Sequence, residues 1–184
     1  MKGAWLREAE MLSGLFSDLI ERVLVTDVLV GLADADVTPA QIQALHFLAR
    51  HERNRVGDLT VGLGISYPAA TKTVDRLVAR GLIDRREGVQ DRRLSELTVT
   101  ERGERLLGEV LARRRERLDA ILARMAPDDQ RALLKGLKGF LTAGFMVDKE
   151  LIAATCQHCG ADCYQDCVVN QSHLAFHGTA IAPV

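Results

Sequence analysis

Two groups of residues in this 184-residue chain have types and spacings suited to chemistry. The first is Cys156, Cys159, Cys163 and Cys167, the chain's four cysteines, packed into twelve residues with His158 among them and His173 and His177 just beyond. Thiolates and imidazoles are ligands for soft and borderline metal ions. The second group lies between residues 66 and 93: Ser66, Tyr67, Thr71, Lys72 and Arg76, then Arg85, Arg86, Asp91, Arg92 and Arg93. From Lys72 to Arg93, seven Lys or Arg stand against four Asp or Glu, a local positive excess that suits a phosphate backbone.

The spacing C-x2-C-x3-C-x3-C leaves several geometries open. On one continuous helix the sulfurs form a stripe about 16 Å long, which a single zinc ion with ~2.3 Å bonds to sulfur cannot span. Such a stripe could bind several Cu(I) ions or face a partner subunit. If Gly160 breaks the helix, the thiolates can converge, and Cys156-Gln157-His158-Cys159-Gly160 then looks like a zinc knuckle. In that arrangement His158, His173 or His177 could replace a cysteine. An iron–sulfur cluster ranks just behind zinc, although the spacing is not that of ferredoxins. Copper and reversible disulfides follow. No His follows Cys159, which excludes a c-type haem. The plain alternative is four unligated thiols in a frayed tail, a chemical liability at this density.

Helices must position both groups. Nearly half of the residues are hydrophobic and aromatics are scarce, so packed Leu, Val and Ala faces are expected. Residues 5–33 read as one long helix with Trp5, Leu6, Ala9, Leu12, Phe16, Leu19, Val23 and Leu24 on a buried stripe. Thr38-Pro39-Ala40-Gln41 is a capping-box start for a second helix, reaching about His51 with Ile42, Leu45, Leu48 and Ala49 inward. A short helix over 56–63, broken by Gly62 and Gly64, leads through Ile65 to a fourth helix. That helix is capped by Ser66, tolerates Pro68, buries Ala70, Val74, Leu77 and Val78, and stops at Gly81.

Leu82-Ile83 and Leu94–Val99 flank a polar loop and predict a hairpin with Arg85, Arg86, Arg92 and Arg93 towards its tip. Leu97 and Val99 are expected inward, Glu96 and Thr98 outward. A fifth helix runs from Thr100 to about Met125 with an apolar seam at Leu107, Leu111, Leu118, Ile121 and Leu122. Its Arg113–Arg117 run is expected to be a solvated face. Pro127 starts a sixth helix with Leu133, Leu134, Leu137, Phe140 and Leu141 inward, extending towards Ile152. The first and last two helices are not needed for the helix–turn–helix and hairpin, and a second subunit is the simplest cover for their seams.

Residues 55–99 thus read as a winged helix. A major groove admits one helix, whose early residues meet base edges, while arginines of a hairpin suit the minor groove. Asp91 is expected to hold a wing arginine by a charge-assisted pair. The segments TPAQIQALHFLA at 38–49, VGDLTVGLGISYPAATKTVDRLVARGLI at 56–83 and DRRLSELTVTERG at 91–103 resemble the MarR (multiple-antibiotic-resistance regulator) family of winged-helix transcription regulators. The likeness includes the Asp-Arg-Arg wing motif and the Val-Thr-x-x-Gly that opens the next helix, and it covers roughly residues 5–147. It implies a mainly α fold with a small β-hairpin wing, dimerising through its N- and C-terminal helices. It also implies a homodimer on a pseudo-palindromic operator in double-stranded DNA, mostly as a repressor released by a small-molecule effector or cysteine oxidation. By the same resemblance Ser66, Tyr67, Thr71, Lys72 and Arg76 map to the recognition helix, and Arg92 and Arg93 to the wing. The Gly62/Gly64 pair and Glu96 depart from the family pattern.

The expected division is a MarR-type domain over 1–147 and a cysteine-rich extension over 148–184. The domain holds a winged helix at about 38–100 and dimerisation helices at about 5–33 and 101–147. The leading expectation is a DNA-binding regulator whose tail reports metal or redox state. The alternative is a metal- or redox-binding interaction protein that uses the winged helix without DNA. An enzyme is not expected, for want of a phosphate loop, a nucleophile elbow or paired carboxylates. Charges interrupt MKGAWLREAEML where a signal peptide needs an apolar core, and no run spans a bilayer, so a cytoplasmic protein without membrane contact is expected.

Overall fold

Thr38 starts the second helix as its sequence requires. Its Oγ1 accepts from the Gln41 backbone N–H at 3.3 Å, and Gln41 Oε1 accepts from the Thr38 N–H at 2.9 Å. The computed structural model describes residues 2–32, 36–51, 55–87, 95–148, 151–152, 155 and 167–179. The helices are α1 (Lys2–Ile20), α2 (Pro39–Arg50), α3 (Val56–Leu63), α4 (Tyr67–Ala79), α5 (Glu101–Leu122), α6 (Pro127–Val147) and α7 (Val168–His177). Strands β1 (Ile83–Glu87) and β2 (Ser95–Val99) pair antiparallel, with Ile83 opposite Val99 and Arg85 opposite Leu97.

The main core lies under the α2–α3–α4 unit and the hairpin. Leu45, Leu59, Ala70, Val74, Leu77, Leu82, Ile83 and Leu97 are buried there, and the first part of α5 closes it with Leu106, Leu107 and Val110. Gly62 does not break α3, contrary to expectation. The helix continues to Leu63, and Gly64 ends it in the left-handed region at φ 63°. Gly62 is instead a packing requirement, because a Cβ there would lie 2.0 Å from Cε2 of Phe47, itself stacked on His51.

The expected long first helix is not uniform. It is α-helical to Ile20, widens to a π-helical stretch over Glu21–Thr26 and tightens to a 3-10 turn over Asp27–Leu29. Its carbonyl end meets α5. Arg113 donates to the Val28, Val30 and Gly31 carbonyls (3.4, 2.8 and 3.2 Å), and Arg114 Nε donates to the Leu24 carbonyl at 2.9 Å. These two arginines are therefore not part of a solvated face. They satisfy carbonyls that a helix end leaves without partners and complement its dipole.

Other apolar positions also differ from expectation. No residue of 3–20 is buried within the chain, and Trp5 is 70% exposed. On α6, Leu134 and Leu141 are exposed and Phe140 is 73% exposed. These seams run along helices that project from the core. On α2, Phe47 and Ala44 are buried where Ala49 was expected, and on α4 Val78 is partly exposed. Helix α6 ends at Val147 rather than near Ile152. Phe145 is covered by Ile152 and Val169, with Cys167, Val168 and Phe176 packed alongside. Helix α7, which no clear sequence pattern announces, thus docks on α6.

Gly62→Ala should lower stability by ~1–3 kcal/mol, the usual cost of overpacking a filled core, read as an earlier urea midpoint at unchanged m-value. Arg113→Ala should cost about 1–2 kcal/mol, since its bonds are charge-assisted but partly solvent-exposed. Arg113→Lys should not restore it, because an ammonium lacks the planar fork that reaches three carbonyls.

Candidate nucleic-acid interface

Helix α4 is presented on the surface by its two ends. At the start, Ser66 Oγ accepts from the Ala69 N–H at 3.4 Å, and Pro68 sits in the first turn where no intrahelical donor is needed. At the end, Gly81 turns left-handed at φ 66°, its N–H reaches the Val78 carbonyl at 2.8 Å, and the Leu82 N–H reaches Leu77 at 3.0 Å. That paired closure is a Schellman motif, with Leu82 and Leu77 both buried beneath it.

The next helix start locks onto this turn. Thr100 Oγ1 donates to the Gly81 carbonyl at 2.7 Å, and the Thr100 N–H bonds the Leu82 carbonyl at 3.1 Å. Thr100 Oγ1 also accepts from the Gly103 N–H at 3.1 Å, capping α5. Gly103 has no room for a side chain, since a Cβ would sit 2.2 Å from the Leu82 carbonyl oxygen. The Val-Thr-x-x-Gly motif therefore fixes where the hairpin leaves α4.

Ala70, Val74 and Leu77 face the core, leaving Tyr67, Lys72, Asp75 and Arg76 exposed, Tyr67 by 61%. Thr71 is half-buried and its hydroxyl donates back to the Tyr67 carbonyl at 3.0 Å, so its methyl is the part left for an apolar contact. Arg85 and Arg86 lie within β1 rather than at the hairpin tip. Arg85 pairs with Asp75 of α4 at 3.4 Å, and Arg86 with Asp84 at 3.6 Å. The Asp75–Arg85 pair links helix to wing and has no signal in local sequence, because its members are ten residues apart on different elements.

Asp91, Arg92 and Arg93 lie outside the described residues, as do Cys156, His158, Cys159 and Cys163. Cys167 is described, half-buried at the start of α7, and His173 and His177 stand on that helix. Among the described residues no group of three or more His, Cys, Asp or Glu is placed to hold a metal ion. No described helix is long and apolar enough to cross a membrane.

The crossing helices α3 and α4 followed by a short antiparallel hairpin define a winged helix. Residues 35–94 match the model of the MarR family. The chain is 34% identical over 98 residues to the HTH-type transcriptional repressor MdtR of Bacillus subtilis, a match covering 53% of this chain and 61% of that protein's length. Its fold is similar to RV1404 from Mycobacterium tuberculosis (TM-score 0.64, 27% identity, 78% of this chain and 95% of that one). It is also similar to Streptococcus pneumoniae FabT, solved in complex with DNA (TM-score 0.63, 19% identity, 78% of this chain and 98% of that one).

The Gly81–Thr100 junction predicts that Thr100→Val, which keeps shape but removes both hydroxyl bonds, lowers stability by ~1–2 kcal/mol. Gly103→Ala should cost more than Thr100→Val in the same urea titration, because the obstructing atom is backbone. Equal stability of Gly103→Ala and the native chain would contradict the close approach.

Proposed function

We propose that the chain is a MarR-family transcriptional regulator that binds duplex DNA as a homodimer and acts as a repressor. The observation that carries this reading is the presentation of α4: its apolar side is consumed by the core while Lys72 and Arg76 face outwards beside the hairpin strand β1. Ser66, Tyr67 and the Thr71 methyl would meet the groove, Lys72 and Arg76 phosphate or guanine, and Arg92 and Arg93 the minor groove, oriented by Asp91. The likeness to MdtR, a transcriptional repressor, and to FabT, solved in complex with DNA, supports the same reading.

Dimerisation follows from the uncovered seams. An isolated 19-residue helix is marginal in water, and α1 places no buried residue of 3–20 within its own chain. The same helices of a second copy would cover them. The reading implies a cytoplasmic protein. A small-molecule effector would find more room in the cavity of about 270 Å³ lined by Leu48, His51, Leu97 and Glu104 than in the one between the first helix's end, α2 and α5. With about 30 Å³ beside Arg114 and His46, that space holds roughly one water. Metal or redox sensing is assigned to Cys156, Cys159, Cys163 and Cys167, with zinc ahead of an iron–sulfur cluster, on thiolate density and the break available at Gly160.

Lys72→Ala and Arg76→Ala, and separately Arg92→Ala and Arg93→Ala, should each weaken duplex binding by ~1–3 kcal/mol. Each should also flatten the slope of log K against log salt by about one for every phosphate left without its cation. Unchanged affinity and slope across all four would remove the interface. For the cysteines, elemental analysis of protein purified without oxygen should give about one zinc per chain in colourless solution. Iron with sulfide and visible colour would replace zinc by a cluster.

A further inference from the structure

We infer that His173 and His177 of α7 form a binding site for one borderline divalent transition-metal ion, of the class Ni2+, Cu2+ or Zn2+, independent of the cysteine run. The two residues stand four apart on one helix and so share a face, the spacing by which a helix offers two imidazoles to one metal. Their ring centroids lie 4.5 Å apart with planes inclined by 38°. Two imidazoles bound side by side to one ion, with metal–nitrogen bonds of about 2.0–2.1 Å, hold their ring centres roughly 4.5–5 Å apart. The pair is already at chelating separation.

A second feature points the same way. Nδ1 of His173 lies 2.8 Å from the Thr179 carbonyl oxygen, an atom that can only accept a hydrogen bond. The contact therefore places the ring proton on Nδ1 and leaves the lone pair of the neutral ring on Nε2. Metal-ligating histidines are oriented in this way, with the non-ligating nitrogen donating to a carbonyl or carboxylate. The turn that returns Thr179 to His173 is built by Gly178, which sits at φ 70° and closes α7 through its N–H to the Leu174 carbonyl at 2.9 Å. The packed side of α7 adjoins the pair: Val169, one turn before His173, and Ser172 are buried where the helix is held against Phe145 and Ile152. His177 is exposed and His173 half-buried, so an ion can approach from solvent.

Two nitrogen ligands leave positions for water or a further donor, and the affinity order expected is that of the Irving–Williams series, with Ni2+ below Cu2+. Ni2+ is the cleaner probe, because thiols reduce Cu2+. The test is calorimetric titration of Ni2+ into the full chain carrying Cys156→Ser, Cys159→Ser, Cys163→Ser and Cys167→Ser together. One Ni2+ per chain is expected, with His173→Ala or His177→Ala each weakening it by about tenfold or more. Gly178→Val, strained at its positive φ, should weaken Ni2+ binding while His173 and His177 both remain. Retention of helix by circular dichroism separates ligand loss from unfolding of α7. If the serine-substituted chain does not fold, the same His variants with native cysteines, kept reduced, should bind one Ni2+ fewer per chain. Unchanged Ni2+ binding in His173→Ala/His177→Ala would overturn the site, and so would complete loss of Ni2+ in a folded chain lacking only the cysteines.

Discussion

The contact on which the winged helix depends is the meeting of Thr100 with the Gly81–Leu82 turn. One hydroxyl donates to the carbonyl that ends the recognition helix and accepts from the N–H that starts α5. The Leu82 carbonyl is then shared between the Thr100 N–H and the close approach of Gly103. Because β2 ends at Val99 and β1 begins at Ile83, this small knot also sets the hairpin's exit from the helix. An error of a few degrees here would swing β1 and its arginines relative to α4. Glycine at 81 and 103 and threonine at 100 are thus geometric requirements, one for a left-handed turn, one for clearance and one for a two-way hydrogen bond.

Outward from that knot the molecule divides by how its apolar surface is used. The winged helix buries its own hydrophobic side chains, whereas α1 and α6 carry Trp5, Phe16 and Phe140 into solvent. The two regions are tied by Arg113 and Arg114, which reach from α5 to the carbonyl end of the first helical segment. A rearrangement of the α1 seam would therefore pull on α5, whose start is fixed to the end of α4. In the proposed dimer this would be a short mechanical route between subunit packing and the presentation of α4. The extension joins the same frame, since α7 lies against Phe145 of α6.

Much of this is legible locally. Thr38, Gln41, Ser66 and Gly81, and Thr100 as the cap of α5, act through residues no more than a few positions away or through a backbone conformation that their own chemistry prescribes, so the sequence carries them openly. The bond from Thr100 to Gly81, nineteen residues back, is not open in that way. The buried side of α4 is nearly all legible for the same reason, Val78 excepted. What is not legible depends on distant partners. Periodicity marks the α1 seam as apolar, but it cannot say whether its own chain or another covers it. Arg113 and Arg114 look like part of a charge run until the carbonyls of Leu24 and Val28 are brought beside them. The Asp75–Arg85 pair and the packing of Gly62 on Phe47 likewise need the fold to exist first. Helix α7 has too weak an apolar pattern to stand out behind the cysteines that precede it.

The central claim is that two copies of α4 are held at a fixed separation to read DNA. The most direct measurement is selection of bound duplexes from a random-sequence pool by the purified full chain, followed by sequencing. The account predicts enrichment of a pseudo-palindrome whose half-site centres lie about one helical turn, ~10 base pairs, apart or a multiple of it. Enrichment of a single unrepeated half-site would contradict the paired arrangement. No enrichment over the starting pool would contradict sequence reading by α4 itself.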